Sequence, residues 1–485
     1  MLGWEFPPHI SGGLGTACHG ITRGLAQHDV DVTFVVPRAF GDEDAGATRI
    51  VGCNLMDFAA AAKSIVSEAE PEAGAVPEQK AAAPRARPRR VVTIDSALLP
   101  YLGAEAYERR LRSLEATAPE SLESPESAEP PPEPSPAAML PGKTGIAEGD
   151  SRHRVQTAKK PLEFQGQYGA DLMAEVTRYA EVVGQFASTE DFDVVHAHDW
   201  MTYPAGITAA RAAGKPLVAH MHACEYDRSG DAPNPSIVGI EQAGLDAADR
   251  VICVSHYTAE MLTKRYRVDP AKLRVVHNAV TQKEQIEGWH VTKASGMPVV
   301  LFLGRVTHQK GPTYFLEAAA RVARVLPNVR FVMSGSGDML PRMVERAASL
   351  GLAKHVRFTG FLAGADVERM YALADLYVMP SVSEPFGISP LEAMALDVPV
   401  LVSRQSGVAE ILRSALKFDY WDVEDLANKI LALLRFPALR AVLTGEGREE
   451  LKGMRWDLRA GSVRKVYDEV VPAAAASLEA AAGPR

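Results

Sequence analysis

The sequence predicts an α/β fold built of two doubly wound, Rossmann-like halves. Three observations predict it. Short apolar segments alternate with longer amphipathic ones along most of the 485 residues, the order that gives parallel sheets covered by helices. The series begins afresh after a polar stretch at 281–297. Polar residues crowd the carboxyl ends of the apolar segments, where an open α/β sheet builds its site.

The 485 residues, 47% of them hydrophobic, suffice for two or three domains with full cores. A formal net charge of -9 argues against nucleic acid as a partner, because phosphate binding needs clustered Lys and Arg. Cys18, Cys53, Cys224 and Cys253 are scattered, with no C-x-x-C, and suit a reducing compartment rather than disulfides or zinc. The start, MLGWEFPPHI, has no signal-peptide pattern. No apolar run is long enough for a membrane span, so a cytoplasmic protein without an integral membrane segment is expected.

Taken in order, residues 1–4 read as the end of a strand whose beginning lies upstream. His9-Ile-Ser-Gly-Gly-Leu-Gly15 follows, then a helical pattern to Gln27 and a strand at 30–36. The glycines stand at a helix entrance, where backbone could approach a diphosphate or simply make a tight turn. Stretches 67–90 and 117–160 are rich in Ala, Pro, Glu and Ser and read as disordered insertions. Between them a helix is expected at 105–114, and the basic run Arg85 to Arg90 reads as solvated. Strands are expected at 192–197, 216–220, 250–254 and 273–276. The first ends in His196-Ala-His-Asp-Trp200, the second in HMHACEYDRSG, and the last in His277-Asn278. Several histidines with Asp199, Glu225 and Arg228 at strand ends point to a site, although any one of them alone fits a core or surface histidine.

In the second half, strands are expected at 298–303, 329–333, 356–358, 375–379 and 398–402. Arg305 leaves the first of them and Lys310 stands before the next helix, two cations placed for a phosphate pair. Gly335-Ser-Gly337 reads as a strand-to-helix turn. The segment PSVSEPFGISPLEAMALDVPVLV, from Pro380 to Val402, joins a strand to a helix through a Gly-containing loop. Ser389 suits the N-cap, Pro390 the first helical position and Glu392 the third. By spacing, Glu392 either closes a capping box or faces a ligand, and Glu384 is either a loop acid or a ligand contact. A last helix opens at Trp456 and runs to about 471, before an Ala-rich tail.

The glycine loop GWEFPPHISGGLG, HAHDW, FLGRVTHQKG with its R-x4-K, and EPFGISPLEAMALDVPVLVS with its E-x7-E together resemble GT-B retaining glycosyltransferases of family 4. HAHDW, H-A-x-E-x-x-R-S-G and the Glu384 block are most similar to bacterial and archaeal glycogen-synthase-type enzymes. The resemblance implies an acceptor-side domain at 1–280, a linker at 281–297, a nucleotide-sugar domain at 298–455, a helix at 456–471 crossing back to the first domain, and a frayed tail at 472–485. It implies that the site lies in the cleft between domains. Gly12 and Gly13 would face the donor diphosphate, and Arg305 and Lys310 would neutralise it on departure. Glu392 would hold the ribose. Glu384, with the amides of Phe386, Gly387 and Ile388, would bind the transferred sugar. His222, ahead of His220, would contact the sugar near its anomeric carbon. Asp199 and Asn278 resemble site positions more weakly, the latter because HNAV replaces an N-G pair.

The implied reaction moves glucose from UDP- or ADP-glucose to the non-reducing end of an α-glucan. It needs no cofactor or metal if the two cations suffice. Asp42-Glu-Asp44 resembles a metal-binding D-x-D but sits in an early loop outside this set. Transfer to a lipid or small molecule, nucleotide-sugar epimerisation and non-catalytic binding are the competing expectations.

Overall fold

The computed structural model describes residues 1–8, 12–53, 172–281 and 297–482, with side chains to 471. The expected insertions, the helix at 105–114, the basic run, Ile10 and Ser11, and the interior of the linker lie outside the described residues. The described residues belong to one compact unit.

In the first half, residues 1–3 run between β1 (Thr33–Val36) and β3 (Val195–His198). Leu2 bridges Val35 on one side and Ala197 on the other. This joins β2 (Arg49–Gly52) and β1 to the series β3, β4 (Leu217–Met221), β5 (Arg250–Cys253) and β6 (Leu273–Val275), all parallel. The strands of the second half lie in the order β12 (Leu416–Phe418), β11 (Val400–Ser403), β10 (Leu376–Met379), β7 (Val299–Leu303), β8 (Arg330–Ser334), β9 (Val356–Gly360), again parallel. Near-continuous apolar strands such as Val299–Leu303 suit a sheet covered on both faces. In each sheet the order reverses once: between residues 1–3 and β3, and between β7 and β10. Crevices at such reversals, beyond the carboxyl ends of the strands, are where doubly wound folds bind ligands.

Helices cover both faces. Leu172–Ala187 packs on Tyr203–Ala213, and Pro312–Val325 on Val423–Arg435. The helix opening at Trp456 packs on Gly13–Leu25 of the first half, and Trp456, Ala460, Val463 and Tyr467 join the core around Ile21 and Phe34. Gly20 and Gly24 permit this approach: a Cβ on Gly20 would lie 2.2 Å from Trp456 Cδ2, and one on Gly24 would lie 2.6 Å from Ala460 Cβ. The backbone of this helix continues to Ala482, as the high helix propensity of Ala favours.

The helix after Glu384 starts one residue earlier than expected. Ile388 is its N-cap, Ser389 is already helical, and no side-chain cap hydrogen bond closes this end. Glu392 therefore does not close a capping box. Its Oε2 accepts a hydrogen bond from the Tyr371 hydroxyl at 3.1 Å.

Candidate active site

The reversal between β7 and β10 brings the cations and the acid together. Arg305 follows β7 through Gly304, and Lys310 ends the turn His308–Lys310. Glu384 follows β10. Lys310 Nζ lies 2.6 Å from Glu384 Oε2, which also accepts from Ser381 Oγ at 3.0 Å. Arg305 donates to Gln309 Oε1 at 3.3 Å, and Gln309 Nε2 donates to the Ser383 carbonyl at 3.1 Å. Gln309 stands inside the R-x4-K spacing and ties Arg305 to the Glu384 loop, a role the spacing did not reveal. Beyond Glu384, Phe386 is buried. Gly387 has φ +98, a conformation only glycine adopts freely, and a Cβ there would press on Met379 and Glu384. That turn feeds the helix at Ser389, whose first amides have no partner inside the helix.

The glycine loop of the first half faces this turn. A Cβ on Gly13 would lie 3.9 Å from Ile388 Cδ1. Gly12 is the N-cap of helix Gly13–Leu25. The Gly15 amide in its first turn donates to Glu5 Oε1 at 3.1 Å, so a carboxylate of this chain already uses the anion-favouring helix end.

Asp199 follows β3 with φ +59, a left-handed conformation that Asp and Asn tolerate best among side-chain-bearing residues. Its Oδ1 accepts from the amides of His222 at 2.6 Å and Ala223 at 3.3 Å. Burial pushes the Asp199 carboxyl up to about 7, against the pull of Arg228 and the two amides. Arg228 holds the same turn from the other side, donating to the Ala223 carbonyl at 2.9 Å, Glu225 at 3.0 Å and Glu241 at 2.8 Å. This gives the H-A-x-E-x-x-R-S-G stretch a physical purpose: it fixes the backbone that carries His222.

Four histidines fill the strand ends. His196 Nε2 meets His220 Nδ1 at 3.2 Å with the rings 5° from parallel, and His198 Nδ1 meets His222 Nε2 at 2.9 Å. The two pairs stack, His196 on His198 and His220 on His222, each with centroids 4.2 Å apart. His196, His198 and His220 are buried, and His222 is half-buried. Burial holds all four neutral, with His222 pushed down to about 3. His196, His198 and His220 place ligand nitrogens within 4.8 Å of one another, as do His198, His222 and Cys18 with its sulfur. Within each pair one nitrogen of each ring meets the other, while Nε2 of His198 and of His220 is buried without a partner among the described residues.

The halves touch around the Glu384 loop. Ser383 Oγ donates to Asp227 Oδ1 at 2.6 Å and lies 2.9 Å from the Tyr257 hydroxyl, and Ser255 Oγ donates to the Pro385 carbonyl at 2.6 Å. Helix Glu225–Ser229, just past His222, packs on the turn His308–Lys310. Asn278 is buried beyond β6 beside His277, whose ring lies 6.0 Å from that of Phe386 between centroids. The structure thus places Gly13 against Ile388, Asp199 on the His222 amide, Lys310 on Glu384, and the helix after His222 against the His308–Lys310 turn. Glu392 lies in the helix that follows the Gly387 turn, and Asn278 stays beside His277 after β6.

Residues 285–450 match the family described as Glycosyl transferases group 1, and residues 143–283 match Glycosyltransferase Family 4. A D-inositol 3-phosphate glycosyltransferase of Mycobacterium sp. is 31% identical over 299 residues, 57% of this chain and 67% of that protein. The counterpart from Actinosynnema mirum is 30% identical over 57% of this chain and 72% of its own. The chain belongs to the GT-B glycosyltransferases of the group 1 and family 4 type. This glycosyltransferase is also 32% identical to an uncharacterised glycosyltransferase of Methanocaldococcus jannaschii, over 46% of the chain and 60% of that relative's length. In fold it is similar to sucrose-phosphate synthase from Thermosynechococcus elongatus, with TM-score 0.56, 21% identity, and coverage of 65% of this chain and 82% of that one. It is similar also to Anabaena HepE in complex with UDP and glucose, with TM-score 0.52, 18% identity, and coverage of 62% and 83%. Among the described residues no helix is long and apolar enough to cross a membrane.

Chemically, Arg305 and Lys310 are cations able to pair with an anion, Glu384 is a carboxylate able to accept from hydroxyls, and His222 is a neutral imidazole. Such fixed donors stabilise charge that develops on a leaving group.

Proposed function

We propose that this chain is a retaining glycosyltransferase that moves glucose from a nucleoside diphosphate donor to the non-reducing end of an α-glucan. The observation that carries the reading is the Lys310–Glu384 pair at the β7/β10 reversal, 2.6 Å apart, in a loop that faces the glycine turn through Ile388 and Gly13. The diphosphate would draw Lys310 and Arg305 to itself and free Glu384 for the sugar hydroxyls. The bond from the anomeric carbon to the phosphate oxygen breaks. The acceptor oxygen attacks from the same face, and its proton passes to the departing phosphate. Neutral His222 serves as a hydrogen-bonding contact for the sugar, since burial keeps it from acting as an acid. Glu392 and its Tyr371 partner would receive the ribose. No metal or cofactor is assigned a role.

The glucan acceptor rests on the resemblance of the HAHDW and Glu384 stretches to glycogen-synthase-type enzymes. A small polyol phosphate acceptor is the second reading, favoured by the relatives at 30–31% identity that are named D-inositol 3-phosphate glycosyltransferases. One assay tests both: UDP- and ADP-glucose, each with glycogen, with inositol 3-phosphate and with no acceptor, for wild type, Arg305→Ala and Glu384→Ala. Wild type is expected to extend glycogen, and both variants to lose transfer by about 10²–10³-fold. Near-normal turnover in both variants overturns the site. Turnover only with inositol 3-phosphate selects the second reading.

A further inference from the structure

We infer that Tyr467 is a positioning residue for His222, acting through the stacked imidazole pairs, so that the carboxyl-terminal helix sets how His222 meets the donor sugar. The inference rests on the reading of His222 given above and adds to it a residue that touches neither sugar nor diphosphate.

The route is continuous. Tyr467 lies on helix Trp456–Ala482 with its ring in the first-half core. Its hydroxyl is 2.6 Å from His196 Nδ1. His196 Nε2 reaches His220 Nδ1 at 3.2 Å. The His220 ring stacks on the His222 ring at 4.2 Å and 20°, while His198 holds His222 Nε2 at 2.9 Å.

Proton counting couples the two bonds. A neutral imidazole has one donor nitrogen and one acceptor. When the Tyr467 hydroxyl donates to His196 Nδ1, His196 must donate from Nε2 to His220 Nδ1, and the His220 proton must sit on Nε2. Among the described residues Nε2 of His220 is buried without a partner, as is Nε2 of His198. When the hydroxyl accepts instead, both bonds reverse together, so the Tyr467 contact couples the tautomers of the His196–His220 pair to the helix in either direction. Removing the hydroxyl leaves His196 Nδ1 without this partner, uncouples the pair from the helix and loosens the ring on which His222 rests.

The helix starts where the two halves meet. Just before it, the Met454 carbonyl accepts from the Val280 amide at 3.2 Å, and Trp456 is wedged on Gly20. A shift of the helix along Gly13–Leu25 therefore reaches the imidazole stack through Tyr467.

The test compares wild type, Tyr467→Phe, His196→Phe and the double variant by steady-state transfer kinetics, thermal melting and ¹⁵N spectra of the histidine rings. Tyr467→Phe is expected to lower kcat about ten- to a hundredfold, as misplacement remote from the chemistry does. The donor KM should stay within about twofold, because the diphosphate contacts are untouched. The ring nitrogens of His196, His220 and His222 should shift together. His196→Phe keeps a stacked ring but cuts the same path, so the double variant should be no worse than the poorer single one. Unchanged kcat in Tyr467→Phe, unshifted His222 nitrogens, or additive losses each overturn the inference. If Tyr467→Phe does not fold, His196→Phe decides the same question through kcat and the His222 nitrogens. A wild type inactive with every donor refutes the proposed function instead, and the ring spectra then decide the Tyr467 link alone.

Discussion

Lys310 Nζ and Glu384 Oε2, 74 positions apart in the chain, are 2.6 Å apart in the fold. Glu384 is buried, while the Lys310 side chain keeps 21% of its exposure. Removing the lysine leaves a buried carboxylate with Ser381 Oγ as a remaining hydrogen-bond donor. Lys310→Ala is expected to lower unfolding free energy by roughly 1–3 kcal/mol, less than for a fully buried pair because water reaches the lysine. Adding Glu384→Gln should restore much of that loss in urea unfolding while transfer stays abolished. A double variant weaker than Lys310→Ala would show that the pair is not coupled.

Asp199 supplies a pH dependence. Its carboxyl is pushed up to about 7 by burial, from an unfolded value near 4. A raised pKa favours the folded state most below the unfolded value, and this contribution is lost as pH rises towards 7. Wild type should therefore lose on the order of 4 kcal/mol relative to Asp199→Asn between pH 4 and pH 7. Asn keeps the left-handed backbone at this position. Ionised Asp199 holds the His222 and Ala223 amides more strongly, so kcat should rise with an apparent pKa near 7 in wild type and stay flat in Asp199→Asn. Identical pH profiles would remove Asp199 from the site.

Glu410 of the second half accepts from the amides of His256 at 3.0 Å and Tyr257 at 2.5 Å, and pairs with His277 Nε2 at 3.2 Å. It thereby places a carboxylate at the first turn of helix His256–Arg265 in the first half. Burial opposes its ionisation, yet His277 and the amides hold its carboxyl below the usual range. This contribution is present above the unfolded value and is lost as pH falls through the folded one. Glu410→Ala should raise the donor KM roughly three- to tenfold and increase hydrolysis of the donor relative to transfer, because a looser closure admits water. An unaltered ratio of hydrolysis to transfer would refute a role in closure.

Gly20→Ala tests the helix contact. Alanine favours a helix over glycine by about 1 kcal/mol, but its Cβ would overlap the Trp456 ring. A net destabilisation of roughly 1–3 kcal/mol is expected in denaturant titration. A stabilised variant would mean that the two helices separate readily.

Much of the fold was legible because its signals are local. Apolar runs such as Val400–Ser403 declared buried parallel strands, and Gly387 marked the turn ahead of the helix. The cap at Ser389 was misplaced by one residue because Ser-Pro-x-Glu suits either register, and the loop packing of Ile388 decided between them. Asp227, Ser383 and Tyr467 carried no signal: each is an ordinary residue whose partner lies 156 or 271 positions away.

By itself, the sequence determined that two series of short apolar strands alternate with helices, and that Arg305, Lys310, Glu384 and His222 stand at strand ends. Periodicity along the chain carries this information, because burial of one face repeats with the geometry of the element. Only the tertiary structure decided that β7 lies beside β10, that Gly13 faces Ile388, and that Tyr467 reaches His196. Strand order in a parallel sheet is set by how crossover helices pack, a sum of contacts between distant segments that no local pattern contains.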